Sequence, residues 1–441
     1  MPNHWLQSAK EYVRPYYLKW LFFRLQSQNC PTYFRECWSY PAASPDPFHA
    51  GAQAPAEAAA SSGKPDILFL PLADWHTRIQ RTQHLALTFA SLGYRCFYVN
   101  PHLGREFPAV FPFSPKRILT NIGPRIQELH VHLPREPVFH HRCLSSAESG
   151  TLTSAILQLP FSQTQGAPII ITSFPLWADV AHALKLRWGS RIVYDCHDLM
   201  TGFGNIAPDL LEAESALLDS ADLVIFSAQA LFDHYRQLHP GIETRSILLR
   251  NAVSCSDFAP DDGADPARHP AQAGHTPTVG YIGSLSSWFD VELIRFAAAA
   301  RPAWRFVLIG RIENPRVESL RSLPNVHLHG EVPYAGLARH LATFDVGIIP
   351  FVRNALTLST NPIKLYEYFA CGLPVVSATL PEVERYSDLV YLADDPKGFL
   401  RQLDMAMAES DSTLACRRHE IAAGESWRVR CQDLERRLGL A

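Results

Sequence analysis

Thr360-Asn361-Pro362-Ile363-Lys364-Leu365-Tyr366-Glu367-Tyr368-Phe369-Ala370-Cys371-Gly372-Leu373-Pro374, running on into Val375-Val376-Ser377, is the stretch whose reading decides the fold. Asn361 is placed to cap a helix, Pro362 suits its first turn, and Gly372 with Pro374 closes it, so the segment reads as one short helix feeding a strand. At about 100° per residue, Lys364, Glu367 and Cys371 share one narrow stripe, while Ile363, Leu365, Tyr366, Tyr368, Phe369 and Ala370 cover nearly everything else. Such a helix is mostly buried and keeps one polar seam. Lys364 sits in the first turn, where the helix dipole disfavours a cation by about 0.3–1 kcal/mol. Two readings of the seam stand side by side. Lys364 and Glu367 form a surface ion pair worth a few tenths of a kcal/mol, or an anion, a phosphate, lies near the helix start.

The same alternation of short apolar strands and helices surrounds this segment. Upstream come strands at Val279–Gly283, Phe306–Ile309, Val326–His329 and Val346–Ile349, with helices at Val291–Ala300 and Leu337–Phe344; Val375–Ser377 and Val390–Leu392 follow. Further back, Cys255 to Pro277 is a polar stretch rich in Pro, Gly and Asp, which marks a domain boundary. Before it the pattern runs once already. Strand Ile67–Leu70, a loop at Pro71–Thr77, a helix over Arg78–Leu92 ended by Gly93, and strand Arg95–Val99 make a βαβ unit. Strands at Ile126–Val131, Ile169–Thr172, Arg191–Tyr194, Leu223–Phe226 and Ser246–Leu249 continue it, with helices at Trp177–Arg187 and Pro208–Ser220 between. Parallel sheets covered on both faces follow from this pattern. The expected architecture is α/β: two Rossmann-like doubly wound domains, 65–254 and 278–408, facing a cleft, joined by a linker at 255–277 and followed by C-terminal helices at 409–441 that could pack back on the first domain. Ligands of such folds bind at the C-terminal ends of the strands.

Residues 1–40 set Lys10, Arg14, Lys19, Arg24 and Arg35 among Trp5, Tyr12, Tyr16, Tyr17, Trp20, Phe22 and Phe23. This pattern suits a membrane interface, or else a disordered or domain-packing extension. Residues 41–64, rich in Pro, Ala, Ser and Gly, read as a flexible linker. The chain has 441 residues, 47% hydrophobic and 19% charged, with a net charge of −3, so there is no polyanion-binding signature and nucleic acid is not an expected partner. Nine scattered cysteines without C-x-x-C spacing read as reduced thiols. Nineteen histidines include His130-x-His132 and His327-x-His329, which lack a nearby carboxylate or cysteine partner, so no metal or other cofactor is expected. No apolar run reaches the length of a membrane span and no secretory leader is evident, which points to the cytoplasm or the membrane's cytoplasmic face.

The second domain's strand ends carry Gly283-Ser284, Gly310-Arg311, Gly330-Glu331 and Pro350-Phe351, where backbone N–H groups can approach a ligand. No G-x-G-x-x-G follows the first strand of either domain and no G-x-x-x-x-G-K-[ST] occurs, so dinucleotide and P-loop sites of the common kinds are set aside. Gly280-Tyr-Ile-Gly283, Phe306-Val-Leu-Ile-Gly310, Asn325-Val-His-Leu-His-Gly330, Phe344-Asp-Val-Gly-Ile-Ile-Pro-Phe351 and Asn361 to Val376 occur in an order that resembles the donor domain of GT-B glycosyltransferases. The resemblance is to the branch similar to glycosyltransferase family four that builds bacterial surface polysaccharides. Trp75 with Gln80-Arg81, Val193 to Asp198, Leu249 to Val253 before Phe258, and Ser426-Trp427-x-x-Arg430 resemble the same group, from about residue 65 to the end.

The resemblance implies a nucleotide-sugar donor in the second domain and a glycan or lipid-linked acceptor in the first, with no bound metal. Glu367 would hold the ribose hydroxyls, and Lys364 with the N–H groups of Thr360 and Asn361 would neutralise the diphosphate. Gly283 and Ser284 would border the donor, and Val332 and Tyr334 its base. Two departures matter. The second glutamate of retaining relatives falls at Ser359, which leaves the stereochemistry open, and the Arg expected after Gly283 is absent, with Arg353 or Arg311 as possible substitutes. A base for the acceptor hydroxyl is expected at Asp198 or Asp195, although Asp195 could simply cap a turn. His197 between them reads as a structural hydrogen-bonder or a participant. Trp75 and His76 would touch the acceptor, unless Trp75 only packs. A catalytically silent nucleotide-binding scaffold and a GT-B sugar-nucleotide epimerase are the rival readings.

Overall fold

The computed structural model describes residues 63–73, 75, 79–101, 117–131, 133, 139–162, 166–258 and 275–440. The N-terminal extension at 1–40, most of the linker at 41–64, His76 and residues 259–274 lie outside them.

The first sheet contains β1 (Ile67–Leu70), β2 (Cys96–Val99), β3 (Arg117–Gly123), β4 (Ile126–Val131), β5 (Ile169–Thr172), β6 (Ile192–Cys196), β7 (Leu223–Phe226) and β8 (Ser246–Leu248). Their spatial order is β3-β4-β2-β1-β5-β6-β7-β8. Every pair is parallel except β3 with β4, a hairpin that the sequence reading did not anticipate. Its turn sets Arg125 at φ 62, in the left-handed region. Both faces of this sheet are buried, as the run of apolar residues requires: Leu68 and Leu70 enter one core, Ile67 and Phe69 the other.

The second sheet contains β9 (Thr278–Ile282), β10 (Arg305–Ile309), β11 (Val326–Gly330), β12 (Val346–Ile349), β13 (Val375–Ala378) and β14 (Val390–Ala393). These are ordered β11-β10-β9-β12-β13-β14 and all parallel. The expected helix from Leu337 ends early, at Leu341.

Three helices position the site: α1 (Arg81–Ser91), α2 (Ile363–Ala370) and α3 (Trp427–Leu438). Along α3, Trp427, Cys431, Leu434 and Leu438 recur at three- and four-residue steps and join the first domain's core beside Leu85 and Phe89 on α1. The helix at Ser412–Gly424 stays with the second domain, where buried Arg418 donates to the Leu389 carbonyl at 3.0 Å and to Glu409. Only the last helix therefore crosses back.

Candidate functional site

Helix α2 begins one residue later than its sequence suggests. Pro362, not Asn361, is the N-cap residue, because the Asn361 side chain is occupied elsewhere: its Oδ1 accepts from the Asn251 N–H at 2.8 Å, and its Nδ2 donates to the Tyr366 hydroxyl at 3.1 Å. The helix ends on Gly372 at φ 67, with the Gly372 and Leu373 N–H groups returning to the Phe369 and Tyr368 carbonyls at 2.9 and 3.0 Å. That double closure is a Schellman motif, and it needs a residue without a Cβ at the left-handed position.

A cavity of about 780 Å³ lies between the domains, at the C-terminal ends of both sheets' strands. Lys364, Thr360, Asn361 and Ser284 form part of its donor-domain wall; His197, Asp198, Thr82 and Asn205 form part of the opposite one. Lys364 is 8% exposed and Glu367 6%. Among the described residues, neither side chain makes a hydrogen bond or an ion pair. The ordinary surface-pair reading of the seam therefore fails. Lys364 Nζ lies over the Phe351 ring at 4.6 Å and the Tyr281 ring at 5.4 Å, and a Cβ on Gly283 would stand 3.1 Å from its Cε. Burial pulls the Lys364 amine down to about 8, opposed by the Glu367 charge. Burial likewise pushes the Glu367 carboxyl up to about 7, opposed by Lys364.

The other donor-side expectations fare differently. The Thr360 N–H donates to the Thr357 carbonyl at 3.3 Å, so it is not free to meet a phosphate as expected. Ser359 is 7% exposed, outside the cavity wall, with its N–H on the Leu356 carbonyl. Glu367, Gly283, Val332 and Tyr334 also lie outside that wall. Tyr334 packs on the rings of His84 and Phe258 with centroids at 5.1 and 5.8 Å. Arg353 does not replace the absent arginine, because it points away and pairs with Asp394 at 2.5 Å. Arg311 is mostly exposed and lies 3.8 Å from Glu313.

On the first-domain side the two aspartates separate. Strand β6 runs two residues further than its sequence suggests, which makes Asp195 an interior strand residue, fully buried. Both its carboxylate oxygens accept from Arg81 Nε at 2.9 Å, and Arg81 also donates to the Asn251 Oδ1 at 3.0 Å and the Leu249 carbonyl at 2.8 Å. Asp195 is therefore a structural counter-ion and not a base. Asp198 faces the cavity, and loss of water around it raises its carboxyl above the ordinary value. His197 Nε2 lies 3.7 Å from Asp198 Oδ2, and its Nδ1 is 3.0 Å from the Asp195 carbonyl. A carbonyl only accepts, so Nδ1 carries the proton and Nε2 faces Asp198. Trp75 is 4% exposed and packs edge-on against Tyr98 at 5.0 Å, so it belongs to the core and does not touch an acceptor in the cavity.

Sequence reasoning missed Glu382, Phe203 and Trp288, and gave Asn251 no role of its own within the Leu249–Val253 stretch. Glu382, in Leu380-Pro-Glu-Val, is 1% exposed and joins the domains. Trp288 meets Phe203 edge-on across the cleft at 6.3 Å. Only its place in the loop after a strand with a terminal glycine hinted at this. Among the described residues no group of three His, Cys, Asp or Glu side chains is arranged to hold a metal, and no helix is long and apolar enough to cross a membrane.

Comparison with known proteins agrees with this geometry. A family model described as glycosyl transferases group 1 matches residues 276–409. The chain is 26% identical over 268 residues to a Bacillus subtilis (strain 168) protein whose name assigns it to teichuronic acid biosynthesis as the glycosyltransferase TuaH, covering 57% of this chain and 67% of that one. In fold it resembles a sucrose-phosphate synthase from Thermosynechococcus elongatus, at 17% identity with 84% and 98% of the two chains covered and a TM-score of 0.63. It also resembles Anabaena HepE, solved with UDP-glucose, at 16% identity with 86% and 100% covered and a TM-score of 0.60.

Proposed function

Starting from a chain that is a glycosyltransferase of GT-B fold, with a group 1 domain at 276–409, we propose that it moves a sugar from a UDP- or GDP-sugar to a glycan, polysaccharide or lipid-linked acceptor without a bound metal. One observation carries the reading: a buried lysine with no hydrogen bond or ion pair among the described residues stands at the cleft wall, in the first turn of α2. A cation so placed is unfavourable until an anion joins it. A diphosphate supplies that anion. It keeps the Lys364 amine protonated, and the fixed ammonium then stabilises the charge that develops on the leaving group. Glu367, one turn further along α2, takes the ribose hydroxyls. The HepE complex with UDP-glucose and the name of the Bacillus relative support a nucleotide-sugar donor and a surface-polymer acceptor.

Across the cavity, Asp198 takes the proton of the acceptor hydroxyl, for which a raised carboxyl is suited, and His197 Nε2 faces it. The N-terminal 40 residues bring the protein to the cytoplasmic face of the membrane, where a lipid-linked acceptor lies. Flotation with anionic vesicles, comparing the full chain with one starting at Lys64, tests this; equal flotation ends it. The reaction is tested by incubating the protein with UDP-, GDP-, dTDP- and CMP-sugars, with and without glycan acceptors and with EDTA. Acceptor-dependent nucleotide release that EDTA does not abolish supports the proposal. Epimer formation, or binding without turnover, overturns it.

A further inference from the structure

Glu382 lies at the seam between the two domains, 1% exposed, with a partner on every side. From the first domain, Arg250 Nε donates to its Oε2 at 2.6 Å and the Gln229 N–H donates to its Oε1 at 2.7 Å. From its own domain, Asn361 Nδ2 reaches Oε2 at 3.4 Å.

The bonds from Gln229 and Asn361 lead to the two halves of the cavity, while Arg385 Nη1, also on Oε2 at 3.4 Å, stays within the second domain. Gln229 opens the helix Gln229–Leu238, whose own N-cap residue, Ala228, has no side chain to cap it. A carboxylate from the other domain fills that place, where both the free N–H and the helix dipole favour an anion. Just ahead of that helix, the Ser227 hydroxyl donates to the His197 carbonyl at 2.8 Å, and so holds the loop that carries Asp198. In the other direction, Asn361 directly precedes the N-cap residue of α2, which carries Lys364. Asn361 is also tied to Asn251, whose Nδ2 donates to the Asn361 carbonyl at 2.6 Å.

We infer that Glu382 is a positioning residue for transfer: its buried carboxylate, together with the Asn251–Asn361 bonds, fixes the wall bearing Lys364 against the wall bearing Asp198. The inference rests on the roles given above to those two residues. A reaction between groups on separate domains depends steeply on their spacing, whereas donor binding, confined to one wall, does not. Glu382 touches no substrate, so its loss separates the two.

The test uses the whole chain. Glu382→Gln keeps the shape and removes the charge; Arg250→Gln, which leaves the bonds to Gln229 and Asn361, is the second variant in case the first folds poorly. With the nucleotide sugar that the parent protein turns over, kcat is expected to fall about tenfold or more while the Kd of UDP moves less than about threefold. Equal losses in both, or an unchanged kcat, overturn the inference. A second measurement needs no substrate. With Phe203→Cys and Trp288→Cys together, the introduced thiols replace rings that meet across the cleft at 6.3 Å, and their disulfide, formed on addition of the thiol oxidant diamide and identified by peptide mass, reports the spacing of the walls. Glu382→Gln is expected to slow its formation about tenfold; an unchanged rate overturns the inference. Absence of turnover by the parent protein with every nucleotide sugar refutes the transferase mechanism instead, and the cross-linking result still decides the role of Glu382.

Discussion

Replacing Lys364 with methionine keeps the apolar length of the side chain over Phe351 and Tyr281 and removes only the charge. A full charge about 4 Å from a phosphate contributes about 4 kcal/mol at the effective dielectric of a partly buried site. Incomplete protonation of an amine lowered to about 8 trims this. A loss of about 2–4 kcal/mol, or about 30- to 1,000-fold weaker UDP binding near pH 7, is expected. The same substitution is expected to raise stability. The folded chain holds this cation without a hydrogen bond or ion pair, and relief of its desolvation is worth on the order of 1–3 kcal/mol. Calorimetric titration with UDP measures the first effect and denaturant unfolding without ligand the second. UDP affinity within about threefold of the parent, together with lower stability, would refute the reasoning and return Lys364 to the role of structural partner for Glu367.

The pH dependence of ligand-free stability has two opposed parts. The unfolded chain keeps the Lys364 proton to about 10.5 and the folded chain only to about 8, so stability rises with pH between those values; Glu367 holds its proton to about 7 against 4.5 unfolded, so stability falls as pH rises through that lower window. Unfolding midpoints across pH check both slopes, and each is expected to vanish in the Lys364→Met or Glu367→Gln variant. Asp198→Asn is expected to lower kcat about 10²–10⁴-fold with UDP affinity unchanged; full turnover would remove it as the base. Asp195→Asn leaves the Arg81 charge uncompensated in the core and is expected to cost about 3–5 kcal/mol of stability, read by denaturant unfolding; a loss under about 1 kcal/mol would place that pair outside the fold's supports.

What was legible in the sequence is what is local. The α2 stripe, its glycine stop and the apolar strand runs each carry their own period, so the parallel strands of both sheets and the polar stripe on a mostly buried helix could be read directly. The two aspartates show the limit. Asp195 and Asp198 are three residues apart, and a strand boundary misplaced by two residues was enough to set a core carboxylate at the cleft. The partner that decides its role, Arg81, is 114 residues away, a separation over which no periodicity speaks. Glu382 was missed for the same reason: its partners at 229 and 250 come from the other domain, and an acidic residue after Pro381 has the local signature of an exposed turn. Trp75 stood in a loop where either packing or ligand contact was compatible with the sequence, and Tyr98 settles it. The β3–β4 hairpin escaped because Arg117–Gly123 carries too few apolar residues to read as a strand without its partner.

Titration of the ligand-free protein with UDP, GDP, dTDP and CMP, beside the Lys364→Met variant, bears on the whole account. One nucleoside diphosphate is expected to bind with a stoichiometry of about one, to take up a fraction of a proton near pH 8 as the Lys364 amine recharges, and to lose both affinity and proton uptake in the variant. Binding that is unchanged in the variant, or no binding of any of the four nucleotides by the parent protein, would contradict it.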